Sequence, residues 1–156
     1  MHNTIVAVGQ KLPAWAQTAV DDYLARFPRD FTVIVKEVKA EARTGGKPVA
    51  QVMAAEAERI ERAVPAGDIL VAMDEHGRDM TTLDFSKKIS GWKNEGCGVT
   101  FIIGGADGLD PALKAKSRMM LRLSSMTLPH AFARVLLTEQ IYRAWSILAN
   151  HPYHRV

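Results

Sequence analysis

Apolar strand-like runs and helix signals alternate along this chain, and that alternation limits its fold more than any other feature. Thr4–Val8, Phe31–Val38, Ile69–Met73, Val99–Ile103 and Met119–Leu123 read as strands. Pro13 suits the first turn of a helix carrying Trp15, Val20, Tyr23 and Leu24, which Phe27-Pro28 ends. Pro48 opens a second helix to about Val64, closed by Pro65 and Gly67. Thr81 or Thr82 caps a third, which runs to Asn94 and stops at Gly96. A short helix follows Pro111, and Pro129 starts the last, which ends near Asn150. Strands separated by helices predict an α/β fold with a mainly parallel sheet and helices on both faces. Continuous apolar runs such as Val99–Ile103 fit strands buried on both sides.

The 156 residues are enough for one domain, 1–156, with its own core. No run reaches the ~20 apolar residues of a membrane span. Ile5–Val8 is too short for a signal peptide and lacks its basic lead. The single cysteine excludes an internal disulfide and fits a reducing cytoplasm. Net charge is +3 but unevenly spread. From Pro111 onward, seven basic residues face Glu139 alone, whereas the first 110 residues are net acidic. A basic end on a near-neutral domain predicts an anionic partner, nucleic acid first.

Ligands of parallel sheets bind beyond the carboxyl ends of the strands. Three segments leave strands there and are expected to converge: Met73-Asp74-Glu75, Gly104–Gly108 and Leu123–Leu128. The Gly-Gly-x-x-Gly loop is neither a dinucleotide fingerprint nor a Walker loop. It is either a tight strand-to-helix turn or a loop holding an adenosine-like ligand by backbone contacts. Leu123–Leu128 either lines an adenine pocket or simply connects strand to helix. Asp74, Glu75 and His76 read as a solvated turn, and Glu41–Lys47, with Gly45-Gly46, as a mobile loop.

Cys97 precedes a strand that Gly104 follows, so it is expected roughly 20 Å from the glycine loop and is not a candidate nucleophile. His151 and His154 have no accompanying Cys or acid cluster, so no metal site is expected. Tyr142 and Trp145 read as packing residues. The last helix, with Phe132, Val135, Leu136, Leu137, Ile141, Trp145 and Leu148, is apolar nearly all round, which suggests cover by a second subunit. The chain end, Asn150–Arg155, is polar, aromatic and expected to be exposed. A terminus of that composition, directly after an apolar helix, suggests a contact surface.

Several of these runs carry a family resemblance. Ala7-Val8-Gly9-Gln10-Lys11, Tyr23-Leu24-Ala25-Arg26-Phe27-Pro28 and Ile103-Gly104-Gly105 with Gly108-Leu109 are three of them. Thr127-Leu128-Pro129-His130, Tyr142-Arg143-Ala144-Trp145-Ser146 and Asn150-His151-Pro152-Tyr153-His154-Arg155 complete the set. Together, in order and spacing, they resemble the RlmH (YbeA) family of SPOUT-class rRNA methyltransferases. The resemblance implies an S-adenosylmethionine-dependent enzyme that methylates N3 of a pseudouridine in helix 69 of 23S rRNA, on the assembled ribosome. It also implies a homodimer and a deep C-terminal trefoil knot, which strand patterning would never suggest because threaded chains are so rare. By motif position the cofactor contacts fall on Met73, Gly104, Leu123, Ser124, Ser125, Met126, Thr127 and Leu128. Relatives often have Leu at Met73 and Pro-Glu at Ala106-Asp107; both differences keep the general character.

The implied chemistry is an in-line methyl transfer to an imide nitrogen that must lose its proton. No metal or covalent intermediate is required. Tyr153, His154 and Arg155 are the catalytic candidates. Arg155 would stabilise the imidate, and His154, with an ordinary pKa of ~6.5, would take a proton. His130 and Arg134, one helical turn apart, are the candidates for gripping rRNA. Rival readings are a knotted methyltransferase acting on tRNA and a non-catalytic rRNA-binding factor. A nucleotide-binding α/β enzyme is the third, and the absent phosphate motifs count against it.

Overall fold

The computed structural model describes residues 1–9 and 11–155; Gln10, part of the first resemblance motif, and Val156 lie outside it. Among the described residues five strands form one parallel sheet: β1 (His2–Val8), β2 (Thr32–Val38), β3 (Ile69–Arg78), β4 (Val99–Ile103) and β5 (Met119–Leu121). Their order across the sheet is β2-β1-β4-β3-β5. The helices are α1 (Ala14–Leu24), α2 (Val49–Ala63), α3 (Thr82–Asn94), α4 (Pro111–Lys116) and α5 (His130–Leu148). Short 3-10 turns occupy Thr44–Gly46 and Pro152–His154.

Period-two alternation in the strands divides the core between the two faces. Ile5, Ala7 and Phe101 pack with Phe85, Ile89 and Trp92 of α3 and with Leu137 and Ile141 of α5. Val6, Val8 and Ile102 point the other way, onto Ala57 and Ile60 of α2 and Leu113 of α4. Both sets are buried, which is why β1 and β4 have no polar side to their pattern. Helix α1 joins the first face through Ala16 and Val20, near Ala131 and Val135 of α5.

Local signals explain the ends of the elements. The Thr81 hydroxyl accepts the Asp84 N–H at 3.1 Å and caps α3, and Asp110 caps α4. Two strands differ from the sequence reading. β5 stops at Leu121, and β3 runs on past Met73 through an irregularity to Arg78. Leu121 pairs with Met73 on one side of that irregularity and with Arg78 on the other. A Cβ at Gly77 would sit 2.7 Å from the Leu121 carbonyl carbon, so the end of β3 crosses the exit of β5 at backbone contact.

This topology places a crevice. β3 leads into α3 on one face, and neighbouring β4 leads into α4 on the other. Their connections part at the carboxyl edge, the place where open α/β sheets bind ligands.

Candidate active site

Two adjoining cavities, of about 140 and 580 Å³, open at this edge. They share Met73, Asp74, Glu75, Ile103, Leu128 and Ala133. Taken together they suit the ~300–1,000 Å³ of small-molecule sites. The smaller adds Leu121, Leu123, Ser124, Met126 and Thr127; the larger adds Gly104–Gly108, Lys114 and His130. The three segments expected to converge therefore do so. Ser125 is exposed and lines neither cavity.

The glycine loop turns tightly. Gly105 and Gly108 form an isolated bridge, and Gly108 has φ 83°. A Cβ at Gly104 would meet the Gly108 carbonyl carbon at 2.6 Å, so the loop closes only without side chains. In the 123–128 segment the Ser124 hydroxyl accepts the Met126 N–H at 2.9 Å and fixes the bend.

Asp74 corrects the solvated-turn reading. Its side chain is only 10% exposed. It accepts the His76 N–H at 2.8 Å and the Lys114 ammonium at 3.0 Å. Burial opposes its ionisation, but the His76 amide and Lys114 outweigh burial and hold its pKa below the usual carboxylate value. Forty residues separate Asp74 from Lys114, so no local pattern announced the pair. The one available signal was that Asp74 directly follows the apolar run Ile69–Met73.

His130 and Arg134 are joined as their spacing suggests: the Arg134 Nε–H donates to His130 Nε2 at 2.9 Å. Arg134 also donates to Glu37 of β2 at 3.0 Å and is 2% exposed. This corrects the expectation of a surface grip, because that guanidinium is committed inside the fold. His130 is half-buried and lines the larger cavity. Burial, then the Arg134 charge, lowers its pKa against a smaller pull from Glu37, so the ring is held neutral.

The chain end is folded rather than splayed into solvent. His151 Nδ1 accepts the Tyr153 N–H at 3.2 Å and caps the last turn. The Tyr153 ring lies 4.7 Å from that of Tyr142, and its hydroxyl meets the Tyr23 hydroxyl at 2.9 Å and Glu139 at 3.1 Å. Burial first, then the Tyr23 hydroxyl and the Glu139 charge, push the phenol up, so it stays protonated. His154 is partly buried, and Arg155 is exposed. Among the described residues, none of the tail lines either cavity. Tyr153 docks at Glu139, about 14 Å along α5 from His130. A single chain therefore does not bring the catalytic candidates to its own cavity.

The remaining expectations divide. Cys97 lies beside Met1 and His2 at the amino edge of the sheet, away from the glycine loop. Tyr142 is buried against Trp145. The Glu41–Lys47 loop is tethered: Arg59 and Lys47 bond Glu41, the Glu41 N–H donates to Glu56, and Arg43 pairs with Asp107. Six of the seven basic residues after Pro111 are ion-paired, five of them with carboxylates from the first 110 residues. The charge asymmetry along the sequence is thus largely cancelled in space.

An open parallel sheet with a small-molecule crevice and a glycine cradle at its carboxyl edge defines an α/β ligand-binding protein of the switch-point type. Its family is narrower. The chain belongs to the SPOUT methyltransferases: the family model described as "Predicted SPOUT methyltransferase" matches residues 1–154. It is 53% identical over 156 residues to a Ralstonia pickettii protein named "Ribosomal RNA large subunit methyltransferase H", covering all of both chains. It is 55% identical to the protein of that name from Bordetella avium, over 99% of each. A solved "probable methylase family protein" from Haemophilus influenzae shares the fold, with TM-score 0.61, 14% identity, and coverage of 97% of this chain and 69% of that one.

Proposed function

We propose that this protein methylates large-subunit ribosomal RNA with S-adenosylmethionine as donor, at N3 of a helix 69 pseudouridine of 23S rRNA in the assembled ribosome. The observation that carries this reading is the end-to-end match to proteins named for large-subunit rRNA methylation, glycine loop and tail included. The pair of cavities supports the cofactor, because their combined size fits it and each is walled by a bend that offers backbone groups, the 123–128 segment at the smaller and the glycine loop at the larger. Met73, Gly104 and Leu123–Leu128 would hold it, Ser125 through its place in the bend rather than by lining the cavity.

The bound cofactor supplies a methyl group on a sulfonium. The chain supplies position and charge. We assign the tail to a partner's cavity in a homodimer. Tail and cavity are apart in one protomer, and Trp15, Phe132 and Leu136 leave an apolar surface open on α1 and α5. Trp15 and Phe132 already touch, with ring centroids 4.8 Å apart. In that arrangement Arg155 faces the oxygen that gains charge as the imide ionises, and His154 accepts the N3 proton. Tyr153, kept protonated, donates hydrogen bonds and anchors the turn rather than acting as a base. His130 stands at the mouth of the larger cavity as the RNA-facing group, with Arg134 positioning it. The whole chain, 1–156, acts as one domain in the cytoplasm, with the residues after β5 threaded past the irregular second half of β3 as a C-terminal trefoil knot. The double pairing of Leu121 supports that threading.

The test is labelled S-adenosylmethionine with ribosomes lacking the modification, beside free rRNA and tRNA. Label mapped by mass spectrometry to helix 69, on assembled ribosomes alone, is the expected result. Label on tRNA, or RNA binding without any cofactor affinity, would refute it. Truncation after Pro152 should abolish transfer while leaving cofactor binding intact.

A further inference from the structure

We propose that the Asp74–Lys114 pair is the recognition site for the amino-acid end of S-adenosylmethionine, Lys114 taking its carboxylate and Asp74 its ammonium. This rests on the cofactor reading above and deepens it.

Met73, Ile103 and Leu128 belong to both cavities, so a ligand with its adenosine in the smaller one extends past them into the larger. Asp74 and Lys114 line that larger space. Of the other charged groups on its wall, Asp107 pairs with Arg43 and His130 accepts from Arg134, while Glu75 and His76 face each other at 3.4 Å with side chains 64% and 83% exposed, where water screens them far more than it screens Asp74. Lys114 has three donors and gives one to Asp74. Each Asp74 oxygen accepts one protein hydrogen bond and has capacity for another. A zwitterionic ligand can therefore add to this pair without displacing it. Its two charges meet their opposites, so no net charge is buried. Side-chain exposures of 10% and 29% keep the contacts poorly screened.

The experiment is titration calorimetry with S-adenosylhomocysteine and with 5′-methylthioadenosine, which shares the adenosine but lacks the amino acid. The wild-type chain is compared with D74N/K114Q and with K114Q alone, which leaves Asp74 its His76 amide. Wild type should prefer the homocysteine compound by roughly tenfold or more, the scale of charged hydrogen bonds. The double variant should lose that preference while its 5′-methylthioadenosine affinity stays unchanged, and K114Q should lose part of it. Retained affinity for 5′-methylthioadenosine also reports a folded cavity. A parallel loss of both ligands in K114Q, or a preference that survives in the double variant, overturns the proposal. Wild type binding neither compound would overturn the cofactor reading itself.

Discussion

Arg134 donates its Nε–H to Nε2 of His130 across 2.9 Å, while its other arm reaches Glu37 on the far strand β2. The start of α5, beside the larger cavity, is thereby fastened to the sheet. Arg134→Ala should destabilise the fold by about 1–3 kcal/mol, because Glu37 is partly exposed and can be solvated once the cation is gone. Urea denaturation measures it, and Arg134→Lys should restore little, since one ammonium cannot reproduce two guanidinium arms.

The same contact sets a pH dependence. The folded-state pKa of His130 lies below its unfolded value of ~6.5. Below ~6.5 the unfolded chain takes up a proton that the folded one refuses, so the contribution is full above that pH. It is lost as pH falls through the lowered folded value. His130→Gln should flatten the stability profile on the acid side of ~6.5, followed by urea midpoints from neutral to acid pH. An unchanged slope would remove His130 as its source.

Tyr153→Phe keeps the ring against Tyr142 but removes the hydroxyl from Tyr23 and Glu139. The expected stability loss is modest, about 0.5–1.5 kcal/mol. Methyl transfer to ribosomes should fall far more than affinity for S-adenosylhomocysteine, because the turn that presents His154 and Arg155 loosens. Equal losses in both readouts would argue against a positioning role.

Two glycines separate binding from folding. Gly104→Ala puts a methyl group 2.6 Å from the Gly108 carbonyl and should abolish cofactor binding by distorting the cradle. Gly77→Ala puts one 2.7 Å from the Leu121 carbonyl, at the crossing of β3 over β5, and should impair folding itself. Circular dichroism beside calorimetry distinguishes them: the first variant stays folded without ligand, and the second does not refold.

Phe132→Glu places a charge in the open apolar patch with Trp15. It should shift a dimer toward monomer in light scattering and remove ribosome methylation. Cofactor affinity should persist, because neither Phe132 nor any described tail residue lines the cavities.

Much of this architecture was legible from residue order alone, because its causes are local. Strand runs buried on both faces, proline at helix starts and Thr81 as a cap act within a few residues, and α1 to α5 lie where those signals put them. The convergence of Met73, the glycine loop and Leu123–Leu128 was equally legible, since parallel strands deliver their carboxyl ends to one edge. Only tertiary structure decided the rest. Arg134 was expected at the surface and is buried, because its partner Glu37 lies 97 residues away. The basic C-terminal segment largely loses its charge to carboxylates that the fold brings across the sheet. Asp74 meets Lys114, and Gly77 touches Leu121, through crossings that no sequence period encodes. Periodicity reports which face a residue takes, whereas charge pairing and chain crossing depend on which distant segments the sheet makes neighbours.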